Sequence, residues 1–136
     1  MGLDTIFGIK YQLNTSEKFD EYMKALGVGF LTRKLGAAAS PVVDLTKEGD
    51  EYTLTSVSTF KNVILKFKPG VEFDQETPDG RNVKATITVD GATLHEVQKD
   101  SAGKTTIIDR TWSPEEVKMV MSIDNITATR IYKAMP

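Results

Sequence analysis

Cysteine is missing from all 136 residues, and there is one histidine, His95. Disulfide scaffolds, four-cysteine zinc sites, thiol catalysis and multi-histidine metal centres are therefore excluded, since each needs side chains that are not there. A strong charge of one sign is also lacking: nineteen acidic residues stand against seventeen basic ones, for a formal charge of -2. Nothing supplies the one-sided positive field that unspecific nucleic-acid binding requires, so no nucleic-acid partner is expected. The opening Met1-Gly-Leu-Asp-Thr-Ile6 has neither the basic region nor the apolar run of a secretory leader, which points to the cytoplasm. What remains is ordinary for a folded chain, 40% hydrophobic and 26% charged residues, and the length fits one domain over 1–136 against a typical ~150 residues.

Val, Ile and Thr together number 36, and β-branched residues favour strands because they are stiff at χ1 and pack well on a pleated surface. The class is mostly β. From Gly49 onward, turn residues recur at hairpin spacing: 48–50, 69–70, 79–80, 90–91, 101–103, 113–114 and 124–125. Between them, Val63, Leu65 and Phe67 alternate with Ile64, Lys66 and Lys68, while Val83, Ala85, Ile87 and Val89 alternate with polar residues, the mark of half-buried strands. The runs predict ten strands, over 7–13, 42–47, 52–59, 63–68, 71–76, 83–90, 93–99, 105–112, 117–123 and 128–134. A sheet that large curls or closes, because open edges invite aggregation.

The stretch 14–39 breaks this pattern. Phe19, Tyr22, Met23 and Leu26 fall at i, i+3, i+4 and i+7, with Asn14, Thr15 or Ser16 available as a cap and Gly27 as a stop. A second short helix runs from Phe30 to about Ala38, ended by Pro41. Helices this short are marginal alone, and a pair inserted between the first two strands of a hairpin barrel fits as a lid over one end.

Five segments then carry a likeness. They are Gly8-Ile-Lys-Tyr11 running into Glu17-Lys-Phe-Asp-Glu-Tyr-Met23; Gly27-Val-Gly-Phe-Leu-Thr-Arg-Lys34; Ser58-Thr-Phe-Lys-Asn62; Glu72-Phe-Asp74 with Thr77, Asp79, Gly80, Arg81, Val83 and Lys84; and Thr129-Arg-Ile-Tyr-Lys133. In this order and spacing the chain resembles, nearly end to end, the intracellular lipid-binding proteins, and within them the invertebrate muscle-type fatty-acid-binding proteins. The resemblance implies a ten-stranded antiparallel up-and-down β-barrel (a clam) capped by a short helix-turn-helix lid around a lipid cavity, with no metal, no cofactor and a monomeric state. It departs from the family at Pro69-Gly70, where many relatives have Leu-Gly, and at the 100–104 turn, which is about one residue longer.

The family holds its ligand's carboxylate with an Arg-x-Tyr on the last strand and an arginine twenty residues upstream, matched here by Arg130, Tyr132 and Arg110. Alternation puts Arg130 and Tyr132 on one face of their strand beside the small Ala128. Pattern alone leaves that face inside or outside. If inside, a guanidinium meets a carboxylate through paired hydrogen bonds and a phenol donates a third. The resemblance further assigns the cavity lining to Phe19, Met23, Ser56, Ser58, Gln98, Ile108, Met119 and Met121; by periodicity Met119 and Met121 fit an ordinary core equally well. It assigns the portal to Leu31, Phe60, Asp79 and Arg81, with Phe60 packing on Leu31 as the alternative. Lys24, Arg33 and Lys34 match positions by which some relatives touch anionic membranes or importins, which leaves nuclear entry open; a solvated lid also carries such cations. Trp112 fits either the cavity or the barrel rim.

His95 and Glu96 are adjacent in a strand and face opposite ways, which argues against an acid/base couple. No nucleophile, base and orienting group stand at recognisable spacing, so no enzyme is expected. Three function classes follow: a carrier of one long-chain fatty acid, or of another acidic lipid such as retinoic acid; a small lipid enzyme; and an interaction protein with an incidental cavity.

Overall fold

The computed structural model describes residues 2–77 and 80–136. Ten strands run through them: β1 Tyr11–Glu17, β2 Val42–Glu48, β3 Glu51–Val57, β4 Asn62–Phe67, β5 Phe73–Glu76, β6 Asn82–Asp90, β7 Thr93–Asp100, β8 Thr105–Trp112, β9 Glu116–Ile123 and β10 Ile126–Ala134. Helices α1, Phe19–Ala25, and α2, Phe30–Ala38, lie between β1 and β2. All strand pairs are antiparallel, in the order β4-β3-β2-β1-β10-β9-β8-β7-β6-β5. The first strand is thus bonded to the last, and the sheet wraps into a barrel whose two edges are β4 and β5.

The predicted strands and the found ones coincide closely after residue 40, and diverge at the start. The first strand is not 7–13 but Tyr11–Glu17. Leu3–Thr5 forms a 3-10 turn, Gly8 turns the chain at φ 84°, and Phe7 and Ile9 pack onto the core from outside the ladder. Asn14, Thr15 and Ser16, expected to cap the helix, belong to β1, where Thr15 pairs with Ile131 and Ser16 with Arg130 after an irregularity following Leu13. Ladder hydrogen bonds to β10 outweigh a side-chain cap there. The helix begins one turn later, after Lys18, whose φ of 59° reverses the chain with no capping side chain. Gly27, at φ 88°, ends α1 as expected.

Inward-facing residues gather in two apolar clusters. One, at the end of the barrel away from the helices, contains Tyr11, Leu45, Ile87, Leu94, Trp112 and Val117, with Tyr11 and Trp112 edge to face at 5.5 Å. The other, beneath α1, holds Tyr22, Met23, Val28, Ile123 and Ala128. Met119 packs against both. The alternation predicted for β4 and β6 is present: Leu65, Phe67, Val83, Ala85 and Ile87 are buried, and Ile64 is exposed.

Candidate functional site

Between the clusters lies a cavity with about 1280 Å³ of atom-free space, its open mouth included. It is lined mainly by apolar side chains, and Phe19, Met23, Ser56, Ser58, Phe60, Arg81, Gln98, Ile108, Arg110, Met119, Met121, Arg130 and Tyr132 all border it. The open face of the Arg-x-Tyr strand is therefore the inner one, and Met119 and Met121 are cavity wall as well as core. Trp112 also faces inward, almost fully buried.

The register explains why residues twenty apart in sequence meet. Arg110 on β8 pairs with Met119 on β9, and Met119 pairs with Arg130 on β10. Two hairpins of matched length thus bring both arginines into one row, on the same side of the sheet. Next along, Trp112, Val117 and Tyr132 form a parallel row.

Arg130 is held on several sides. Its Nε donates to Ser16 Oγ at 2.8 Å, from the residue directly opposite on β1. The guanidinium carbon sits 3.9 Å from the Phe19 ring centroid, tying the site to the first turn of α1. Burial lowers its affinity for the proton, and Tyr132 works in the other direction; an arginine is so strong a base that it remains cationic at neutral pH. Burial likewise pushes the Tyr132 phenol up, against the pull of Arg130 and Arg110. At neutral pH the pair is a desolvated cation beside a neutral hydroxyl, an arrangement able to donate hydrogen bonds to an anion in a low-dielectric wall.

Sequence reasoning missed Glu96. It is completely buried, its Oε1 accepts from Arg110 Nη1 at 2.7 Å, and its Oε2 accepts from Gln98 Nε2 at 2.7 Å. The signal was available: Gln98 was assigned to the cavity, so Glu96, two residues earlier on β7, must share that face. Leu94 pairs with Arg110, which makes Glu96 the diagonal neighbour of Arg110 across the β7–β8 ladder. His95, on the outer face, instead contacts Asp109 through Nδ1 at 2.6 Å, away from Glu96 as expected. Ser16 was also missed, because it was read as a helix cap.

At the mouth, Ser58 Oγ accepts from the backbone N–H groups of Phe60 and Lys61 at 3.1 and 3.0 Å, a turn that presents Phe60 to the cavity close to Gly36 of α2. On the facing hairpin, Thr77 Oγ1 accepts from Arg81 N at 3.1 Å. Leu31, expected with these at the portal, does not border the cavity; it is 77% exposed on α2, because its position on the helix faces away from the barrel. Asp79 lies outside the described residues. Of the three lid cations, Arg33 is turned inward, donating to Asp20 at 3.1 Å and to the Val28 carbonyl at 2.8 Å, so it clamps the two helices together. Lys24 and Lys34 are exposed, as are the neighbouring Phe30, Leu31 and Leu35.

Comparison with known proteins gives a consistent result. Residues 9–135 match the lipocalin / cytosolic fatty-acid binding protein family. The muscle fatty acid-binding protein of Schistocerca gregaria is 48% identical over 130 residues, covering 93% of this chain and 95% of the relative. The fatty acid-binding protein from Drosophila melanogaster brain tissue superposes with a TM-score of 0.88 at 53% identity, over 95% of this chain and 99% of that one. A Schistosoma mansoni fatty acid binding protein in complex with arachidonic acid superposes with a TM-score of 0.93 at 36% identity, over the full length of both chains.

Proposed function

Because this chain belongs to the lipocalin / cytosolic fatty-acid binding protein family, we propose that it is a cytoplasmic, non-enzymatic carrier that holds one long-chain fatty acid in its barrel. Arg130 and Tyr132 clasp the carboxylate, and Arg110, ion-paired with Glu96 at 2.7 Å, stands in the same row as Arg130. The observation that carries this reading is a cationic, hydrogen-bond-donating corner, Arg130 with Tyr132, inside a cavity that is otherwise mostly apolar. A neutral lipid has no use for a desolvated guanidinium, and a small polar acid has none for the apolar wall.

Magnitudes divide the work between the two parts. Each buried methylene contributes about 0.8 kcal/mol and one hydrogen bond to a charged group about 1.5–3 kcal/mol. A chain of ten or more carbons supplies most of the affinity, and the head-group residues set orientation and acid-over-alcohol choice. Methionines 119 and 121, unbranched and polarizable, can re-pack around chains of different shape. Retinoic acid presents the same carboxylate to the same corner and is the alternative ligand within this reading.

Native mass spectrometry of the purified protein, followed by extraction and identification of what it carries, is the direct test. The expected result is a 1:1 complex with a long-chain fatty acid; a chain that copurifies with nothing and ignores added fatty acid overturns the reading. Delivery is a second expectation. Lys24 and Lys34 flank the exposed Phe30, Leu31 and Leu35 on the lid, so transfer of a fluorescent fatty acid to anionic vesicles should slow as salt rises, with screening over ~10 Å at 0.1 M. Reversing both lysines to glutamate should remove that salt dependence, and an unchanged transfer rate would discard the lid as the contact surface.

A further inference from the structure

Glu96 is the one buried carboxylate among the described residues, and neither the carrier reading nor the resemblance to relatives requires it. An ionised carboxyl group out of water is costly unless its oxygens are paired, and here each oxygen has a donor at 2.7 Å, Arg110 on one and Gln98 on the other. Such pairing is not idle packing. Arg110 is itself mostly withdrawn from solvent, so the two charges neutralise one another within the wall of the cavity. Gln98, by donating to Glu96 Oε2, leaves Oε1 to accept from Arg110.

The charge count of the wall follows. At the Arg-x-Tyr corner, Arg110 and Arg130 border the cavity and Glu96 lies behind Arg110, so this corner carries two positive charges and one negative beside the neutral, buried Tyr132; the other lining cations, Lys61 and Arg81, belong to the mouth. The inner corner therefore presents a single uncompensated positive charge, located at Arg130. A head group with one negative charge brings the buried total to zero. A neutral head group leaves the cation unanswered, and a doubly charged one leaves an excess anion beside Glu96, in a medium that screens poorly.

We propose that Glu96, through Arg110, restricts the ligand to a singly charged anionic head group, acting against doubly charged amphiphiles as a specificity-determining residue. This rests on the reading that the carboxylate docks at Arg130. Selectivity here comes as much from the repulsion Glu96 offers to the wrong ligand as from attraction to the right one.

The test uses three probes with the same tail, hexadecanoate, hexadecyl phosphate at pH 8 and hexadecanol, with affinities measured by calorimetry on delipidated protein and folding of each variant checked by thermal unfolding. At that pH the phosphate monoester is a dianion, its second pKa lying near ~6. In the native protein hexadecanoate should bind best of the three. Glu96→Gln, nearly isosteric, should shift the phosphate-to-carboxylate affinity ratio toward phosphate by about tenfold or more, the scale of one charged hydrogen bond. Arg110→Gln alone should weaken hexadecanoate by about tenfold, since Glu96 is then left uncompensated. Removing both, Glu96→Gln with Arg110→Gln, returns the count to one positive charge and should restore hexadecanoate to within about threefold of the native value, a coupling a double-mutant cycle reads directly. If Arg110→Gln proves too unstable to titrate, Glu96→Gln and the double variant still decide the matter. An unchanged affinity ratio in Glu96→Gln, or a double variant as weak as Arg110→Gln, overturns the proposal. Failure of the underlying reading looks different: Arg130→Gln would then leave hexadecanoate binding untouched.

Discussion

Arg130→Gln should weaken long-chain fatty-acid binding by about ten- to a hundredfold, the 1.5–3 kcal/mol of a charge-assisted hydrogen bond, while the barrel should stay folded and still take up apolar fluorescent dyes. The asymmetry is the informative part. The acid loses its docking cation, whereas the matching alcohol, which never used the charge, binds as before or better. The ratio of acid to alcohol affinity therefore collapses toward one. Removing the guanidinium also releases Ser16 and withdraws the cation from the Phe19 ring, so the first turn of α1 should exchange its amide hydrogens faster. The barrel itself survives because Arg130 contributes no apolar packing to the cluster around Leu45 and Leu94, and burying a lone guanidinium is a cost that the variant no longer carries. Calorimetry with hexadecanoate and hexadecanol, side by side on native and variant protein, measures it. Unaltered acid-over-alcohol selectivity would remove Arg130 from the head-group site.

The second large effect is on stability. A carrier with a cavity between its two clusters has less close-packed interior than its hydrophobic content suggests, so the packed end must contribute a disproportionate share. Leu94 is fully buried there, among Leu45, Ile87, Trp112 and Val117, and does not border the cavity. Leu94→Ala should cost about 2–5 kcal/mol, because the surrounding side chains relax only partly into the space. Met119→Ala, although it too removes a large apolar side chain, should cost less than half of that. Met119 borders empty space already, so truncation enlarges an existing cavity and forfeits fewer contacts. Its cost should appear in ligand affinity instead. Urea unfolding of delipidated protein, with the slope held common, gives both values; equal destabilisation by the two substitutions would mean that the interior is uniformly packed.

Much of this arrangement was legible in the chain. Period-two alternation identified β4 and β6 and their buried faces, since a strand's side chains have only two directions to take. The helices were legible from one apolar face and two glycines, and the Arg-x-Tyr spacing was enough to say that both side chains share a side. At residues 11–17 the reading failed. Asn14-Thr15-Ser16 has good capping chemistry, yet that preference is worth about 1 kcal/mol and gives way to a continuous ladder with β10. That pairing is between the two ends of the chain, more than a hundred residues apart, and no local signal announces it. The same gap hid Ser16 as a partner of Arg130. Leu31 was placed at the portal by likeness, and that it is exposed and not part of the cavity lining depends on how α2 rolls against the barrel.

Glu96 marks the boundary between the two kinds of information. Local patterning was enough to specify strand number, the order of hairpins, the lid and which residues share a face, because these follow from side-chain periodicity and turn chemistry over a few residues at a time. Whether the inward-facing charges would meet was a question of register: Arg110 lies beside Arg130 through β9, and beside Glu96 through the diagonal with β7. Electrostatic energy depends on distances of a few ångströms across strands, and those are settled only when the hairpins close and the ladder from β1 to β10 locks the barrel. The near absence of net charge along the chain conceals a buried corner in which two cations, Arg110 and Arg130, stand with one anion, Glu96.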